Sequence, residues 1–153
     1  MPVGYARVIT LPADPAAPGA LRVAMTTDGP TLDVVIGFSP PLPGTPLNSP
    51  ELTVPALIDT GAGECCIDDG VAQQLGLPVV DRAHASGVGG SQEFNVYLGY
   101  LTIPAIGKTV AGRFLGVKLS DGGQPHRALI GRTALSETVM AYDGILGIVS
   151  ISA

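Results

Sequence analysis

The sequence predicts a mainly β fold with one or two short helices, and its composition and residue pattern both support this. The 153 residues include 21 glycines and 14 prolines, a composition that favours turns over long helices. Valine, isoleucine, tyrosine and phenylalanine recur in short runs bounded by these turn formers, which is typical of strands. The length fits one domain, whose folding buries roughly 68–70% of the unfolded surface.

Charge and composition argue against several classes of partner. The formal net charge is -5, and the eight Lys and Arg form no basic cluster, so neither nucleic acid nor an anionic membrane surface is expected as a partner. No apolar run approaches the roughly 18 residues of a membrane helix. The N-terminus lacks a secretory signal pattern. Adjacent Cys65 and Cys66 rarely satisfy disulfide geometry. Reduced thiols and a cytoplasmic location are therefore expected.

Residues 1–50 are predicted to form an extension of the same domain whose main part is 51–153. Within the extension, the pattern predicts a hairpin over 21–38 whose first strand is 21–26. Five prolines within 39–51 predict a loop that is too short to separate domains.

The rest of the chain alternates strand patterns with turns. The near-continuous apolar run in "LTVPALID" predicts a strand buried on both faces. A short helix follows in "DDGVAQQLGLP", with Asp68 as its N-cap and Gly76 at its end. A long hairpin is predicted around the glycines of "GVGG", then one or two strands in "KTVAGRFLGVKL". A short helical turn and a final hairpin with an Asp143-Gly144 turn end the chain.

The candidate chemistry lies in "LIDTGA", where Asp59 follows apolar residues. Burying one ionised carboxylate is costly, whereas two carboxylates brought together can share a proton. Such a pair holds a water, and one member removes its proton while the other donates to a substrate carbonyl. The chain has one such motif, so a symmetric homodimer would supply the second Asp59. Asp-Thr-Gly is also an ordinary turn composition.

The stretch "ALIDTGA" resembles the catalytic motif of the retropepsin-like aspartic proteases, a single-motif family of retroviral type with bacterial and cellular members. Other stretches follow in the family's order. The glycine-rich tip at 87–90 resembles the flap, and "ALIGR" (128–132) resembles the element that packs behind the catalytic loop. "CCIDDGVAQQLGLP" and "AYDG" also match family segments, so the resemblance covers about residues 52–150.

The resemblance implies a closed β-barrel, a homodimer with its active site on the two-fold axis, and hydrolysis of peptide or protein substrates without metal or cofactor. It implies that Asp59 is the catalytic acid and base, and that its loop is supported by Thr60, Gly61 and Ala62. It assigns the flap and substrate binding to Ser86, Gly87, Val88, Gly89, Gly90 and Ser91. It assigns the bracing of the active site to Gly131 and Arg132.

One position departs from the family pattern. Viral members commonly carry an acid after DTGA that pairs with the arginine of the GR element, whereas this chain has Gly63 followed by Glu64. Either Glu64 pairs with Arg132 instead, or the brace is absent.

Two other interpretations stand beside the protease. The chain could be a non-catalytic peptide-binding or dimerisation module on the same fold. It could also be a monomeric precursor whose dimer surface is masked by the N-terminal extension. A zinc site formed by the two cysteines with His84 and His126 is not expected, because adjacent cysteines lack the usual ligand spacing.

Overall fold

Ten strands and three short α-helices make up the regular structure of the residues described by the computed structural model, which are 8–11, 18–39, 50–87 and 90–153. The strands are β1 (Val8–Leu11), β2 (Thr31–Gly37), β3 (Glu51–Ile58), β4 (Cys66–Asp68), β5 (Val79–Gly87), β6 (Gly90–Ile103), β7 (Lys108–Val117), β8 (Ala128–Ile130), β9 (Val139–Asp143) and β10 (Ile148–Ser152). The helices are α1 (Pro18–Thr27), α2 (Asp69–Gln74) and α3 (Arg132–Leu135), with a 3-10 turn at Ser120–Gly122. The prediction of a mainly β chain is confirmed.

The strands form two sheets. The larger has the order β2-β3-β8-β4-β7-β6-β5, and β2 also pairs with β6, which joins two distant members of that order. The smaller is antiparallel, with the order β1-β10-β9. Strands β3 and β8 are parallel neighbours, with Ile58 opposite Ile130. The loops that leave these two strands therefore start side by side.

One contiguous apolar core connects both sheets with the helices. Strands β2 and β3 bury every second residue, as expected where one face of a sheet covers a core. The prediction that the "LTVPALID" strand is buried on both faces was therefore wrong, since its other face is partly exposed. The core also includes Met25 of α1, Val71 and Ala72 of α2, and Ile151 of β10.

The predicted hairpin over 21–38 is wrong in its first strand, because 21–26 lies within α1. The Asp28 N–H donates to the Ala24 carbonyl at 2.8 Å, four residues back, as in a helix. Gly29 follows with φ +75°, a left-handed conformation that commonly ends helices. Strand β2 pairs instead with β3 and β6.

The other local predictions have mixed outcomes. The long hairpin is confirmed as β5 and β6, and "KTVAGRFLGVKL" forms the single strand β7. Helix α2 is confirmed, but Asp68 does not cap it with its side chain. The Asp68 carboxylate instead accepts hydrogen bonds from the N–H and hydroxyl of Ser120, at 3.0 and 3.1 Å. Most of the predicted loop at 39–51 lies outside the described residues. Within them, no helix has the length and apolar character needed to cross a bilayer.

Candidate active site

Asp59 directly follows β3, at the point where β3 and its parallel neighbour β8 end together. Its backbone N–H donates to the Ile130 carbonyl at 3.0 Å, so the register of the two strands continues by one more hydrogen bond. Ile58 and Ile130 are buried at 5% and 0% exposure, whereas Asp59 is half-buried. The carboxylate thus stands at the edge of the core, on a main chain that is fixed from both sides.

The turn after Asp59 fixes the direction of its carboxylate. The Gly61 N–H donates to Asp59 Oδ1 at 2.8 Å, and the Ala62 N–H donates to the Asp59 carbonyl at 3.2 Å. A Cβ atom on Gly61 would stand only 3.0 Å from Asp59 Oδ1, which favours glycine at this position. The backbone of this turn therefore orients the Asp59 carboxylate.

Arg132 is in contact with residues 59–64, here called the Asp59 loop, as the family resemblance implies. Its Nη1 donates to the Thr60 carbonyl at 2.8 Å, and its backbone N–H donates to the Ala62 carbonyl at 2.9 Å. The Thr133 N–H adds a third bond, to the Gly63 carbonyl, at 3.0 Å. Among the described residues Glu64 forms no ion pair with Arg132. Of the two alternatives, pairing of Glu64 with Arg132 is therefore not found, and the contact uses backbone carbonyls in place of an acid–arginine pair.

Gly131 packs directly against the backbone of the same loop. A Cβ atom on Gly131 would fall 2.3 Å from the carbonyl oxygen of Glu64, so only glycine fits here without movement of the backbone. The Gly131 N–H points at Cys65 Sγ, at 3.4 Å, and this sulfur lies 4.0 Å from Thr133 Oγ1. Cys65 thus packs between the two loops, a role that its sequence spacing did not indicate.

A cleft of about 950 Å³ opens beside the Asp59 loop. Its lining comes from that loop and from α3, together with residues of β4, β5, β6 and β7. The lining residues are Gly61, Ala62, Gly63, Glu64, Cys66, Ser86, Val96, Val110, Ala111, Arg113, Leu115 and Thr133. Asp59 lies next to this wall in sequence without being part of it. Sequence reasoning missed the residues of β6 and β7, because nothing distinguishes them from other strand positions.

The predicted flap is the end of the β5–β6 hairpin. Ser86 pairs with Ser91 and Gly87 with Gly90, and Gly90 has φ +96°, which strains any other residue. Val88 and Gly89, also assigned to the flap, lie outside the described residues. Of the four predicted flap residues that the structure describes, Ser86 lines the cleft.

The thiol of Cys66 forms part of the cleft wall but is poorly suited to nucleophilic chemistry. Burial raises its pKa to about 11, with smaller contributions from the nearby Cys65, Asp59 and Glu64. The thiolate is the reactive form of cysteine, and a pKa this high leaves the group neutral at pH 7. Its hydrogen bond to the Glu64 carbonyl, at 3.8 Å, also uses the thiol proton. Within the described residues, no group of three or more His, Cys, Asp or Glu is placed to hold a metal ion.

Comparisons with known proteins give a structural likeness but no sequence match. No protein-family model matches the chain, and no curated protein matches it. Among solved structures, the solution structure of the simian foamy virus (mac) protease aligns with 69% of this chain and 90% of its own. The two share 14% sequence identity, with a TM-score of 0.44. A likeness this remote establishes neither a family nor an activity for the chain.

Proposed function

We propose that the chain is a retropepsin-like aspartic endopeptidase that acts as a homodimer. The observation that carries the proposal is the fixed Asp59 carboxylate beside a large cleft. Gly61 orients this carboxylate, and Arg132 and Thr133 hold its loop. The motif in "ALIDTGA" and the contact between its loop and the "LIGR" element agree with the family pattern on which the proposal draws. The β2–β6 pairing is compatible with the family's closed barrel.

A second copy completes the proposed site. In a two-fold dimer each residue on the axis meets its own equivalent, so two Asp59 carboxyls can share one proton. Thr60 and Gly61 are exposed beside the half-buried Asp59, which leaves this loop open to the same loop of a partner. The Asp-Thr-Gly motif occurs once in the sequence, so the second carboxylate of the proposed site comes from the other copy in the dimer.

The reaction needs only water and the two carboxyls. The ionised Asp59 takes a proton from the water, whose oxygen then forms a bond to the peptide carbonyl carbon. The protonated Asp59 of the other copy gives its proton to the carbonyl oxygen. When the resulting tetrahedral diol collapses, the C–N bond breaks and the leaving nitrogen takes the proton now held by the first Asp59. One diol hydroxyl becomes the carbonyl of the new carboxyl group and returns its proton to the second Asp59. The carboxyls end in their initial protonation states after product release.

The cleft is suited to an extended peptide. Its apolar walls, which include Val96, Val110 and Leu115, offer burial to an apolar side chain next to the scissile bond. The β5–β6 hairpin reaches the cleft at Ser86 and would serve as the flap over bound substrate. Exclusion of water by such a flap strengthens the electrostatic interactions around the dyad.

The test is the substitution Asp59→Asn. It keeps the size of the side chain and removes the carboxylate, so hydrolysis of a mixed peptide library should fall by at least about 10³-fold. Asp121→Asn serves as the matched control, because Asp121 is exposed and outside the cleft wall. Full activity in purified Asp59→Asn would exclude the proposed mechanism.

A second candidate function is peptide binding without hydrolysis, which the absence of Asp59 from the cleft wall favours. In that case wild type and Asp59→Asn would bind the same peptides with equal affinity, and neither would cleave them. The masked precursor is a third possibility, but removing residues 1–50 is not a clean test of it. That deletion removes β2, which pairs with both β3 and β6.

A further inference from the structure

The backbone of Glu64 is held by contacts with neighbouring residues, whereas its carboxylate has no partner among the described residues. Its carbonyl oxygen accepts a hydrogen bond from Cys66 Sγ and lies against Gly131. Its exposed carboxylate has no hydrogen bond or ion pair with any described residue. Glu64 nevertheless lines the cleft, five residues after Asp59. A charge held at this place without a partner is available to a ligand.

The positive charges around the cleft offset Glu64 only in part. Arg113 is the second charged residue of the wall, and its Nη2 lies 3.3 Å from Asp81 Oδ2, so its charge is largely balanced. Arg132 keeps its positive charge, because it donates to the neutral Thr60 carbonyl. In the proposed dimer, however, the two Glu64 carboxylates and the singly ionised Asp59 pair outnumber the two Arg132 cations. Among the residues that the structure describes, the remaining lining residues are neutral. The cleft therefore combines apolar walls with a net negative charge on the side of the Asp59 loop.

We propose that Glu64 selects peptides that carry a lysine or arginine close to the apolar residue held in the cleft. This inference rests on the proposed function, since it specifies the substrate of the same site. In a two-fold dimer each copy contributes one Glu64, so a basic residue is favoured on either side of the scissile bond. The apolar walls bury the neighbouring side chain of the substrate, and the Glu64 carboxylate accepts a charge-assisted hydrogen bond from the lysine or arginine of the substrate.

The experiment compares matched peptides that share an apolar residue and carry Lys, Gln or Glu at each flanking position in turn. Wild type should cleave the best Lys peptide about five- to tenfold faster, in kcat/KM, than its Gln counterpart. Glu64→Gln should reduce this ratio to within about twofold, and Glu64→Lys should reverse it in favour of Glu. Raising the salt concentration from 0.05 to about 0.5 M should also reduce the wild-type ratio, since exposed charges are screened.

The control is Glu137→Gln, which makes the same chemical change at an exposed residue outside the cleft wall and should leave the ratio as in wild type. An unchanged Lys-to-Gln ratio in Glu64→Gln, or a wild-type preference for Glu, would overturn the inference. If wild type cleaves none of the peptides, the proposed function fails. In that case the Lys-to-Gln ratio of peptide affinities is measured for wild type and for Glu64→Gln. A ratio that falls in Glu64→Gln supports the role of Glu64, and an unchanged ratio excludes it.

Discussion

Replacing Gly131 by alanine tests whether the Asp59 loop and the start of α3 pack backbone against backbone. The new Cβ would lie 2.3 Å from the carbonyl oxygen and 2.5 Å from the carbonyl carbon of Glu64. Both are main-chain atoms, so no side chain can rotate away to relieve the contact. The Glu64 backbone would have to move by about 1 Å to reach the 3.4 Å of ordinary contact.

That movement would weaken the hydrogen bonds that hold the loop. The Arg132 N–H donates to the Ala62 carbonyl at 2.9 Å, and the Thr133 N–H donates to the Gly63 carbonyl at 3.0 Å. If the carbonyls moved away by about 1 Å, both donor–acceptor distances would exceed the normal range for a hydrogen bond. Overpacking costs about 1–3 kcal/mol, and each weakened bond about 0.5–1.5 kcal/mol. Because part of the strain is relieved by the same movement, we expect the free energy of unfolding to fall by about 2–4 kcal/mol.

Urea unfolding followed by circular dichroism measures this, since the chain has no tryptophan for fluorescence. The protein concentration must be held constant, because dimerisation shifts apparent stability. Gly63→Ala is the matched control in the same loop. Among the described residues its Cβ would meet only the Arg132 guanidinium, at 3.6 Å, so the free energy of unfolding of this variant should stay within about 0.5 kcal/mol of wild type. A similarly small change in Gly131→Ala would refute the packing argument.

Two further predictions concern titratable groups. Burial raises the pKa of Cys66 from 9.0 to about 11. At pH 8 a thiol reagent should therefore label Cys66 at least about 100-fold more slowly in the native than in the urea-unfolded protein. Rapid labelling of Cys66 in the native protein would contradict this prediction. Burial also lowers the pKa of His126, against a raising contribution from Asp28 and with a smaller lowering one from Arg127. Because the pKa of His126 in the folded protein lies below the unfolded value of 6.5, the unfolded state binds a proton more readily as the pH falls. The contribution of neutral His126 to the stability of the fold is therefore complete above about pH 6.5 and is lost at lower pH. Wild type should therefore lose more stability between pH 7.5 and 5.5 than His126→Gln, whose amide can still bond Thr31; equal losses would show that His126 is not responsible.

The sequence predicted the parts of the site that lie close together along the chain. Asp59 and its turn follow from an apolar run and a glycine, and local hydrogen bonds do form there. The contact of Arg132 with Thr60 spans 72 residues, and only the family resemblance indicated it. The cleft walls on β6 and β7 could not be predicted, because the alternation of a strand does not show which face meets the Asp59 loop.

The segment 21–26 shows why one helix was missed. Leu21, Val23 and Met25 alternate with other residues, which is typical of a strand. In the structure Met25 is buried at 5% exposure, whereas Val23 is 65% exposed. The alternation therefore does not reflect a buried face. The backbone of α1 lies close to Gly147, which precedes β10. This is a tertiary contact, and the residue pattern of the segment 21–26 does not predict it.

The central claim is that two copies of the chain share one catalytic site, and subunit mixing tests it most directly. Wild-type and Asp59→Asn chains are refolded together from urea in varied proportions at constant total concentration, and peptide hydrolysis is measured for each mixture. If both Asp59 carboxyls are needed, activity follows the square of the wild-type fraction, so an equal mixture retains about a quarter of the full activity. An equal mixture that retains about half would mean that each chain acts alone, which would contradict the shared site.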